Sequence, residues 1–415
     1  MKDLKTERWI KENVEAIAIA IVMALVIRQF AIEAFKIPTE SMNPTLLGDN
    51  GGGTGDRILV FKVPYLLGEP DRWDIVVFKY PLNISKNYIK RLVGLPGETL
   101  EITRDGDILI DGKIARKPPH IQDVLFREKF PGELSPQGLR HAWKLSGPGV
   151  SRPAADTFVV KAADCTYDRG LKSGDVRLTM EVTAAGPGEV FLHLQENGVR
   201  FELVLAVGEG ESYLLADGKK HPVPDVNLDP GRATDVVMVN VDDAILIEVG
   251  GRSFSHEYEP ILTRAGQDLV QFGARGGEAT FAEVRLSEDI FYNRDGAAPW
   301  EIGEDEFFML GDNTGNSQDS RKWNLNRVKL ADGNAWEYEG RSDPEDLSQR
   351  PRVGPGEVTK MDRDGIWRVW NEDDVVDTEH FDSPFVPKAN LVGKAFFVFW
   401  PLNPLTDQFR LKFIR

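Results

Sequence analysis

The sequence predicts a mainly β protein that follows one amino-terminal transmembrane helix and carries an inserted β-rich domain. Three observations predict this fold class. One long apolar segment lies near the amino terminus, short β-branched and aromatic runs separated by turn residues follow it, and residues 36–115 show no sustained helical periodicity. The length of 415 residues is sufficient for two or three domains.

The apolar segment 14–35 is predicted to be the transmembrane helix, preceded by a cytoplasmic amino terminus at residues 1–13. Ala16–Ile27 is uninterrupted apolar sequence, and the whole segment spans about 33 Å as a helix, which matches a bilayer core. A cleaved signal peptide and a buried core helix are the alternatives, but no small-x-small cleavage motif follows the segment. The basic side chains of residues 1–13 favour an inside amino terminus and an outside location for everything after Phe35.

The composition limits the kinds of partner and site. The formal net charge of −16 argues against nucleic acid as the main partner, because phosphate binding needs a basic surface. The only cysteine of the sequence, Cys165, can form no internal disulfide and has no second thiol with which to hold zinc.

The rest of the chain divides by composition into β-rich and polar stretches. Arg57–Val63 and Asp74–Lys79 are strand-like, and Asp105-Gly106 marks a hairpin. Regular short strands between turn residues, such as Asn197-Gly198, are typical of a β-sandwich. The predicted divisions are a first β-rich part at 36–115, an inserted β-rich domain at 116–298 (linker 116–153 and β-sandwich 154–298), a second part at 299–323, a polar insertion at 324–383 and closing strands at 384–415.

The first segment with candidate catalytic residues, Ile37–Leu46, follows directly on the apolar helix. Pro38 and Pro44 restrict the backbone around Ser41. The hydroxyls of Thr39 and Ser41 are two positions apart, so in an extended chain they point the same way. A turn after the membrane is the alternative interpretation of this segment.

The second segment, Tyr88–Glu98, places a lysine between apolar neighbours. In an alternating strand Lys90 shares a face with Tyr88 and Leu92. Burial disfavours the ammonium form and lowers the pKa of a lysine, and a neutral amine can take a proton from a serine hydroxyl. A lysine that snorkels to solvent at a strand edge is the alternative.

The third segment, Leu310–Arg321, is a loop dense in hydrogen-bonding groups. Asp319 and Arg321 can pair and hold the loop rigid, and Ser317 can orient a lysine amine. The Asp-x-Asn start is only faintly similar to a calcium loop, because the glycine and the closing glutamate of that motif are missing. The spacing of the histidines does not exclude a Ser-His-Asp triad, although no motif points to one.

Together and in this order, the three segments resemble the signature boxes of bacterial type I signal peptidases, also called leader peptidases. The resemblance covers roughly 9–115, 299–323 and 384–415 of the chain. The preceding apolar helix and the closing apolar strand also fit it. The inserted domain has a pattern similar to laminin-G or concanavalin-like jelly rolls. The three boxes read Ser41-Met-x-Pro-Thr-Leu46, Tyr88-Ile-Lys-Arg-x-x-Gly-x-Pro-Gly97 and Gly311-Asp-Asn followed by Ser317-x-Asp-Ser-Arg321.

The resemblance implies a membrane-bound serine endopeptidase with a signal-peptidase-type β catalytic domain. Such an enzyme removes amino-terminal signal peptides from exported preproteins by Ser/Lys-dyad acyl-enzyme hydrolysis. The implied location is the bacterial plasma (inner) membrane, crossed once, with the catalytic domain on the outer side. Signal peptides and the lipid bilayer are the expected partners, together with an unidentified ligand of the inserted sandwich. Neither a metal nor an organic cofactor is implied.

The resemblance also implies roles for individual residues. Ser41 is the implied nucleophile, Lys90 the general base and then the general acid, and the Ser41 N–H and Thr39 hydroxyl the oxyanion hole. Ser317 is implied to orient the lysine, with Asp319 and Arg321 supporting the loop. The residues implied to line shallow pockets for small substrate side chains are Ile37, Met42, Leu46, Tyr88 and Ile89.

Some positions depart from the family pattern. Thr314 stands where the family often has arginine, Glu40 where a small residue is common, and one membrane helix is present in place of two. Two other functions remain open on the sequence. One is a related Ser/Lys protease that cleaves itself or a regulator, and the other is a cell-surface protein whose inserted sandwich binds carbohydrate or a partner.

Overall fold

The chain is mainly β, as the sequence predicts. The predicted linker 116–153 and the predicted polar insertion 324–383 lie partly outside the described residues. The computed structural model describes residues 2–49, 55–129, 143–146, 149–167, 171–259, 261, 266–294, 299–339, 350–401 and 410–414.

An apolar helix, Lys2–Phe30, opens the described chain. Its Lys11–Phe30 portion is long and apolar enough to cross a membrane, and that portion is not buried against the rest of the protein. The helix ends at Phe30, five residues before the predicted end at Phe35. It ends there because Ile32–Lys36 form a strand that pairs with Arg57–Phe61.

The last turn of this helix is bonded to a lysine from the following strand region. Lys62 Nζ donates to the carbonyls of Arg28 and Gln29 at 3.4 and 3.3 Å, and it forms an ion pair with Glu33 at 2.7 Å. A cation near the last carbonyls of a helix interacts favourably with the helix dipole. The end of the apolar helix is therefore fixed to the first strands of the β region.

The first of two compact units comprises residues 1–101, 110–112 and 294–415. It is built on an antiparallel sheet with short helical segments between its strands. The strand order is Ile32–Lys36, Arg57–Phe61, Leu391–Trp400, Ile75–Tyr80, Asn83–Gly94, Glu306–Leu310 and Phe385–Pro387, with Lys412–Phe413 paired to Leu391–Trp400. The helical segments are Glu40–Met42, Val63–Leu67, Thr314–Asn316, Glu372–Asp374 and Lys388–Asn390.

The two faces of this sheet bury separate apolar clusters, because successive side chains of a strand point to opposite faces. Val77 and Ile89 belong to one cluster, and Val76 and Leu92 belong to the other. Lys90 lies directly opposite Val76 in the register of the two strands. The lysine therefore lies within the apolar interior of the sheet.

Five further strands of the 294–415 region form two smaller antiparallel sheets. One has the order Ala335–Glu339, Asn324–Leu330 and Val375–Asp382, and the other pairs Glu357–Met361 with Trp367–Asn371. A further small sheet has the strand order Trp300–Glu301, Thr99–Ile102, Ile108–Ile110 and Lys113–Ile114.

The second compact unit comprises residues 102–109 and 113–293. It contains the helix Pro119–Leu125 and two large antiparallel sheets. One sheet has the order Val150–Ala154, Thr157–Lys161, Glu278–Glu288, Val176–Ala184, Thr234–Val241, Ala244–Val249 and Arg252–Glu257, with Arg127–Glu128 paired to Glu278–Glu288. The other has the order Lys219–Pro222, Tyr213–Ala216, Val199–Val207, Gly188–Glu196, Leu269–Arg275, Asp164–Tyr167 and Lys144–Leu145.

Both sheets of this unit contribute to one apolar core. Phe158 and Phe281 come from the first sheet, and Leu203 and Phe272 come from the second. The alternation of buried and more exposed residues along each strand supplies one apolar face per sheet. A jelly-roll or laminin-G subtype for this domain stays a prediction.

Candidate active site

Two side chains from separate segments of the first unit meet through a hydrogen bond. Lys90 Nζ lies 2.7 Å from Ser41 Oγ. Ser41 sits in the short 3-10 turn Glu40–Met42, and Lys90 sits on the strand Asn83–Gly94. Both residues are buried, with 6% and 4% of their surface exposed. The sequence predicted these two residues as a pair, and the structure brings them into contact.

The surroundings of Lys90 favour an uncharged amine. Burial is the largest influence and lowers the pKa of Lys90 to about 8 from an ordinary 10.5, while the carboxylates of Asp319 and Asp312 act in the opposite direction. The amine also donates to the carbonyl of Ile89 at 2.9 Å, and it lies 5.5 Å from the centre of the Tyr88 ring. A substantial neutral fraction of the amine is therefore available near neutral pH.

The backbone around Ser41 brings a second hydroxyl to the site. Thr39 is extended, with φ −121° and ψ 157°, and the 3-10 turn begins immediately after it. This change of conformation leaves Thr39 Oγ1 3.3 Å from Ser41 Oγ. Thr39 itself is exposed to solvent. The two hydroxyls are close together, although Ser41 lies in a 3-10 turn and not in the extended chain that the spacing argument assumed.

The Gly-Asp-Asn loop fixes the backbone of the serine turn. The Asn313 N–H donates to the carbonyl of Ser41 at 3.0 Å, and Asn313 Nδ2 donates to the carbonyl of Glu40 at 3.1 Å. A Cβ at Gly311 would lie 2.1 Å from Ser317 Oγ and 2.6 Å from the Ser41 carbonyl oxygen. Only a residue without a side chain fits at Gly311 in this arrangement.

Asp319 and Arg321 form a buried bidentate ion pair within this loop. Arg321 donates from Nε and Nη2 to the two carboxylate oxygens of Asp319 at 2.8 and 2.7 Å. Asp319 also accepts from the Gly311 N–H at 3.0 Å, and Arg321 donates to the carbonyl of Thr314 at 3.3 Å. The predicted pairing of Asp319 and Arg321 is present, and it ties both ends of the loop together.

A second buried ion pair was not predicted from the sequence. Arg91 donates to Asp312 at 2.8 and 2.7 Å and to the Trp73 carbonyl at 2.8 Å. Thr45 donates to the same carboxylate at 2.5 Å. Arg91 directly follows Lys90 on the strand, and Asp312 belongs to the Gly-Asp-Asn loop, so this pair joins all three motif segments. The sequence signal for this ion pair was Arg91 itself, a charged residue that lies between the apolar residues Ile89 and Val93 on the face of the strand opposite to that of Lys90.

Ser317 is placed close to the serine turn but is not bonded to the lysine. Its hydroxyl is buried and has no hydrogen-bond partner among the residues that the structure describes. The hydrogen bonds of the Lys90 amine go instead to Ser41 and to the Ile89 carbonyl. The hydrogen bond from Ser317 to Lys90 that the resemblance implies is therefore absent from this arrangement.

The five residues expected to line substrate pockets lie mostly inside the protein. Ile37, Met42, Leu46 and Ile89 belong to one apolar cluster beneath the serine turn, and Met42 and Leu46 have no exposed surface. Tyr88 is half-buried against the cluster on the other face of the sheet and stacks on Tyr80, with ring centres 4.2 Å apart. In this arrangement these side chains pack the interior around the dyad.

The burial of Lys90 predicts that Lys90→Met stabilises the fold at neutral pH. A lowered pKa means that the unfolded chain binds more protons than the folded chain between pH 8 and 10.5, so this lysine adds stability as pH rises through that window. At pH 7.5 the variant avoids a burial cost of about 3 kcal/mol. Calorimetry of the full chain in detergent should show a higher melting temperature for the variant at pH 7.5 and a smaller difference at pH 10.

Lys79→Met is the matched control, because Lys79 is exposed on the neighbouring strand and should show neither effect. A Lys90→Met variant that melts below the parent at pH 7.5 would contradict the burial argument.

The amino-terminal part of this chain is similar to known proteins. Residues 10–129 match the family described as signal peptidase, peptidase S26. Signal peptidase I from Pseudomonas aeruginosa is 41% identical over 98 residues, which are 22% of this chain and 34% of the relative. Signal peptidase I from Leptolyngbya laminosa is 38% identical over 117 residues, 26% of this chain and 54% of the relative. Signal peptidase I from Rickettsia typhi is 36% identical over 126 residues, 27% of this chain and 48% of the relative.

The matched region thus spans about a third to a half of the length of these relatives. Among solved structures, an alginate lyase from Alteromonas sp. 272 is similar to 35% of this chain and 94% of its own, at 12% identity and a TM-score of 0.28. The family match includes both the Ser41 and the Lys90 segments. The amino-terminal part of this chain is therefore similar to signal peptidases of the peptidase S26 family over residues 10–129.

Proposed function

We propose that this protein is a membrane-bound signal peptidase that removes amino-terminal signal peptides from exported preproteins. The observation that carries the proposal is the 2.7 Å hydrogen bond between Ser41 and a desolvated Lys90. Serine becomes a strong nucleophile only when a neighbouring base takes its proton. The geometry supplies such a base without a histidine, and the similarity of residues 10–129 to signal peptidases supports the same reaction.

In the proposed reaction Ser41 Oγ attacks the carbonyl carbon of the scissile peptide bond while its proton moves to the neutral Lys90 amine. The resulting ammonium then protonates the leaving amine, which departs as the new amino terminus of the mature protein. A water molecule then attacks the ester carbonyl and passes a proton to Lys90. The ammonium returns this proton to Ser41 Oγ as the bond between Oγ and the carbonyl carbon breaks, and the signal peptide leaves with a free carboxyl terminus. Lys90 thus acts as base and acid in alternation.

The Thr39 hydroxyl and the Ser41 N–H are the proposed oxyanion hole. Thr39 Oγ1 lies 3.3 Å from the nucleophilic oxygen, so it is close to the position that the carbonyl oxygen would take. A single oxyanion-hole donor typically contributes about 10²–10³ in rate. Ser317 is the proposed lysine-orienting residue: its buried hydroxyl has no hydrogen-bond partner among the described residues, and a rotation of either side chain would have to bring it to the Lys90 amine.

The buried ion pairs support the dyad by restricting the backbone on which it sits. Arg91 follows Lys90 directly and is bonded to Asp312. Asn313, which follows Asp312 in the loop, donates a hydrogen bond to the Ser41 carbonyl. Asp319 and Arg321 close the same loop. A rigid framework matters because catalytic groups that shift by about 1 Å can lose about 10² in rate.

The substrate class follows from the location of the dyad. The apolar helix ends at Phe30, and the serine turn begins at Glu40, so the nucleophile is tethered close to the proposed membrane surface. A signal peptide is itself an apolar segment in the bilayer, and the shared surface raises the effective concentration of both partners. The preference for small residues beside the cleaved bond is part of the proposal and rests on the similarity of residues 10–129 to signal peptidases.

Orientation and compartment are part of the same proposal. The basic residues before the apolar helix favour a cytoplasmic amino terminus, which places the β units on the outer side of a bacterial plasma membrane. The related proteases that cleave themselves or a regulator would share the dyad, and a preprotein substrate separates the two activities. A purely binding function would leave the contact of Ser41 with the buried Lys90 unexplained.

The dyad predicts that Ser41→Ala and Lys90→Ala each abolish cleavage of a preprotein. Ser41→Ala removes the nucleophile, and Lys90→Ala removes the base, so each should lower turnover by at least about 10³. Cleavage of a preprotein by the purified protein in detergent measures this loss. Ser253→Ala and Lys79→Ala alter exposed residues and should retain parental activity, whereas appreciable activity in either dyad variant would refute the assignment.

The pKa of Lys90 predicts the pH dependence of cleavage. The reactive form is the neutral amine, so kcat/KM, which reports the free enzyme, should rise with pH to a plateau, with a midpoint at about 8. Well below the midpoint kcat/KM should fall about tenfold for each pH unit. Measurement of kcat/KM between pH 5.5 and 10 tests this. A midpoint near 6.5 would indicate a histidine base, and one near 10.4 would indicate a solvated lysine.

The tight fit at Gly311 predicts a large catalytic defect for Gly311→Ala. The added methyl group would displace Ser317 or the Ser41 carbonyl, and the resulting shift of the nucleophile should lower kcat by about 10². Gly315→Ala is the control from the same loop, because a Cβ there meets nothing within 4 Å. Equal kcat values in the two variants would show that the loop does not position the nucleophile.

A further inference from the structure

The serine segment, residues 37–47, contains the 3-10 turn of Ser41 but no β-strand. Its backbone groups therefore need partners outside a strand ladder, and Asp56 supplies three of them. The Ile37 N–H donates to the Asp56 carbonyl, the Leu47 N–H donates to the Asp56 carboxylate, and the Asp56 N–H donates to the Leu47 carbonyl, each at 2.9 Å. One residue thus holds both ends of the serine segment.

The carboxylate of Asp56 is paired with a cation from a distant part of the chain. Asp56 has no exposed surface, and Arg410 Nε lies 2.9 Å from its Oδ1. Burial raises the pKa of Asp56, while the Leu47 N–H and the charges of Arg410 and Lys412 act in the opposite direction. A buried carboxylate that loses its cation is strongly destabilising, so Arg410 favours the ionised form to which Leu47 donates.

The carbonyl of Thr45 receives two charged donors from the same region. Lys412 Nζ donates to it at 2.9 Å and Arg410 Nη2 at 3.3 Å. Thr45 is buried, with 3% of its surface exposed, and its hydroxyl donates to Asp312 at 2.5 Å. Hydrogen bonds from charged donors are stronger than those between neutral groups. Thr45 is therefore held between the two cations at its carbonyl and the Gly-Asp-Asn loop at its hydroxyl.

The residues that carry these cations are themselves fixed to the main sheet of the first unit. Lys412–Phe413 pair with the strand Leu391–Trp400, and the Ile414 N–H donates to the Phe396 carbonyl at 2.9 Å. The Ile414 side chain packs against the apolar cluster beneath the serine turn. The cations are thus presented to the serine segment from an ordered support.

We propose that Arg410 and Lys412 are positioning residues, which keep Ser41 within reach of Lys90 by holding the serine segment at Thr45 and Asp56. The inference rests on the proposed peptide cleavage and adds two residues on which that cleavage depends. A shift of about 1 Å in a catalytic group can cost about 10² in rate. Release of Thr45, four residues after the nucleophile, should therefore slow the chemical step more than it weakens substrate binding.

Lys412→Met separates the donor from the packing of this side chain, because methionine keeps a long unbranched chain and lacks the ammonium. In the purified full chain in detergent, kcat for preprotein cleavage should fall at least about tenfold, with KM changed less than about twofold. Lys412→Arg restores a cationic donor and should recover most of the lost kcat. Equal kcat values in Lys412→Met and Lys412→Arg, or a parental kcat in Lys412→Met, would overturn the role of this lysine.

Lys388→Met is the matched control for this experiment. It removes the ammonium of a lysine in the same unit that is ion-paired with Glu69, and it leaves the serine segment untouched. We expect parental kcat and KM in this variant. A tenfold loss of kcat in Lys388→Met would show that any lost ion pair of this unit slows cleavage and would remove the case for a specific position.

Arg410 is tested together with Asp56, because Arg410→Gln alone leaves a buried carboxylate without its cation. The double variant Asp56→Asn/Arg410→Gln removes both charges, and the amide oxygen of the new side chain can still accept from the Leu47 N–H. If Arg410 acts through Asp56, the double variant should lose less kcat than the product of the losses in the two single variants. A loss equal to that product would show that the two residues act independently and would overturn the coupling.

Hydrogen exchange tests the hold on the serine segment apart from cleavage. The N–H groups of Leu46 and Leu47 donate to the Met42 carbonyl and the Asp56 carboxylate, so release of Thr45 should raise their exchange rates at least about tenfold in Lys412→Met. The same rates should stay parental in Lys388→Met. Unchanged exchange in Lys412→Met overturns the positioning role, whereas a parent chain that cleaves no preprotein refutes the proposed function.

Discussion

The hydrogen bond between the Lys90 amine and the Ser41 hydroxyl is the interaction on which the proposed chemistry of this protein depends. A lysine has an ordinary pKa near 10.4, so in water it would be protonated and useless as a base. Burial opposite Val76 removes the amine from water and lowers its pKa to about 8. The burial of Lys90 also destabilises the fold. Such a loss of stability is common where a titratable group is buried for catalysis.

The rest of the first unit keeps that amine and that hydroxyl together. The carboxylates of Asp312 and Asp319 are near enough to raise the pKa of Lys90, yet both are engaged by arginines, at Arg91 and Arg321. If either carboxylate faced the lysine without its arginine, the ammonium form would gain stability. The arginines therefore serve two purposes, since they fix the loop and they prevent a carboxylate from holding the lysine in its charged form.

The sequence was sufficient to predict the contact of Ser41 with Lys90, the mainly β fold and the apolar helix, because each rests on a local pattern. Ser41 and Lys90 stand in motifs with fixed spacing, and the helix is a continuous apolar segment. The end of the helix at Phe30 depended on the pairing of Ile32–Lys36 with a later strand, which no local pattern contains. The ion pair between Arg91 and Asp312, and the contact of Lys412 with the Thr45 carbonyl, arise from chain topology and could not be read from spacing.

The position of the insertion explains how the dyad tolerates so much added chain. The strands Asn83–Gly94 and Glu306–Leu310 pair directly, with Leu92 opposite Met309, although the whole second unit lies between them in sequence. The free-energy cost of closing a flexible loop rises only by about 0.6 kcal/mol for each doubling of its length. The intervening residues form sheets with their own apolar core, so they contribute stability of their own and are not a flexible loop. A self-contained domain can therefore be placed between the lysine strand and the Gly-Asp-Asn loop while the register that aligns Lys90 and Ser41 is kept.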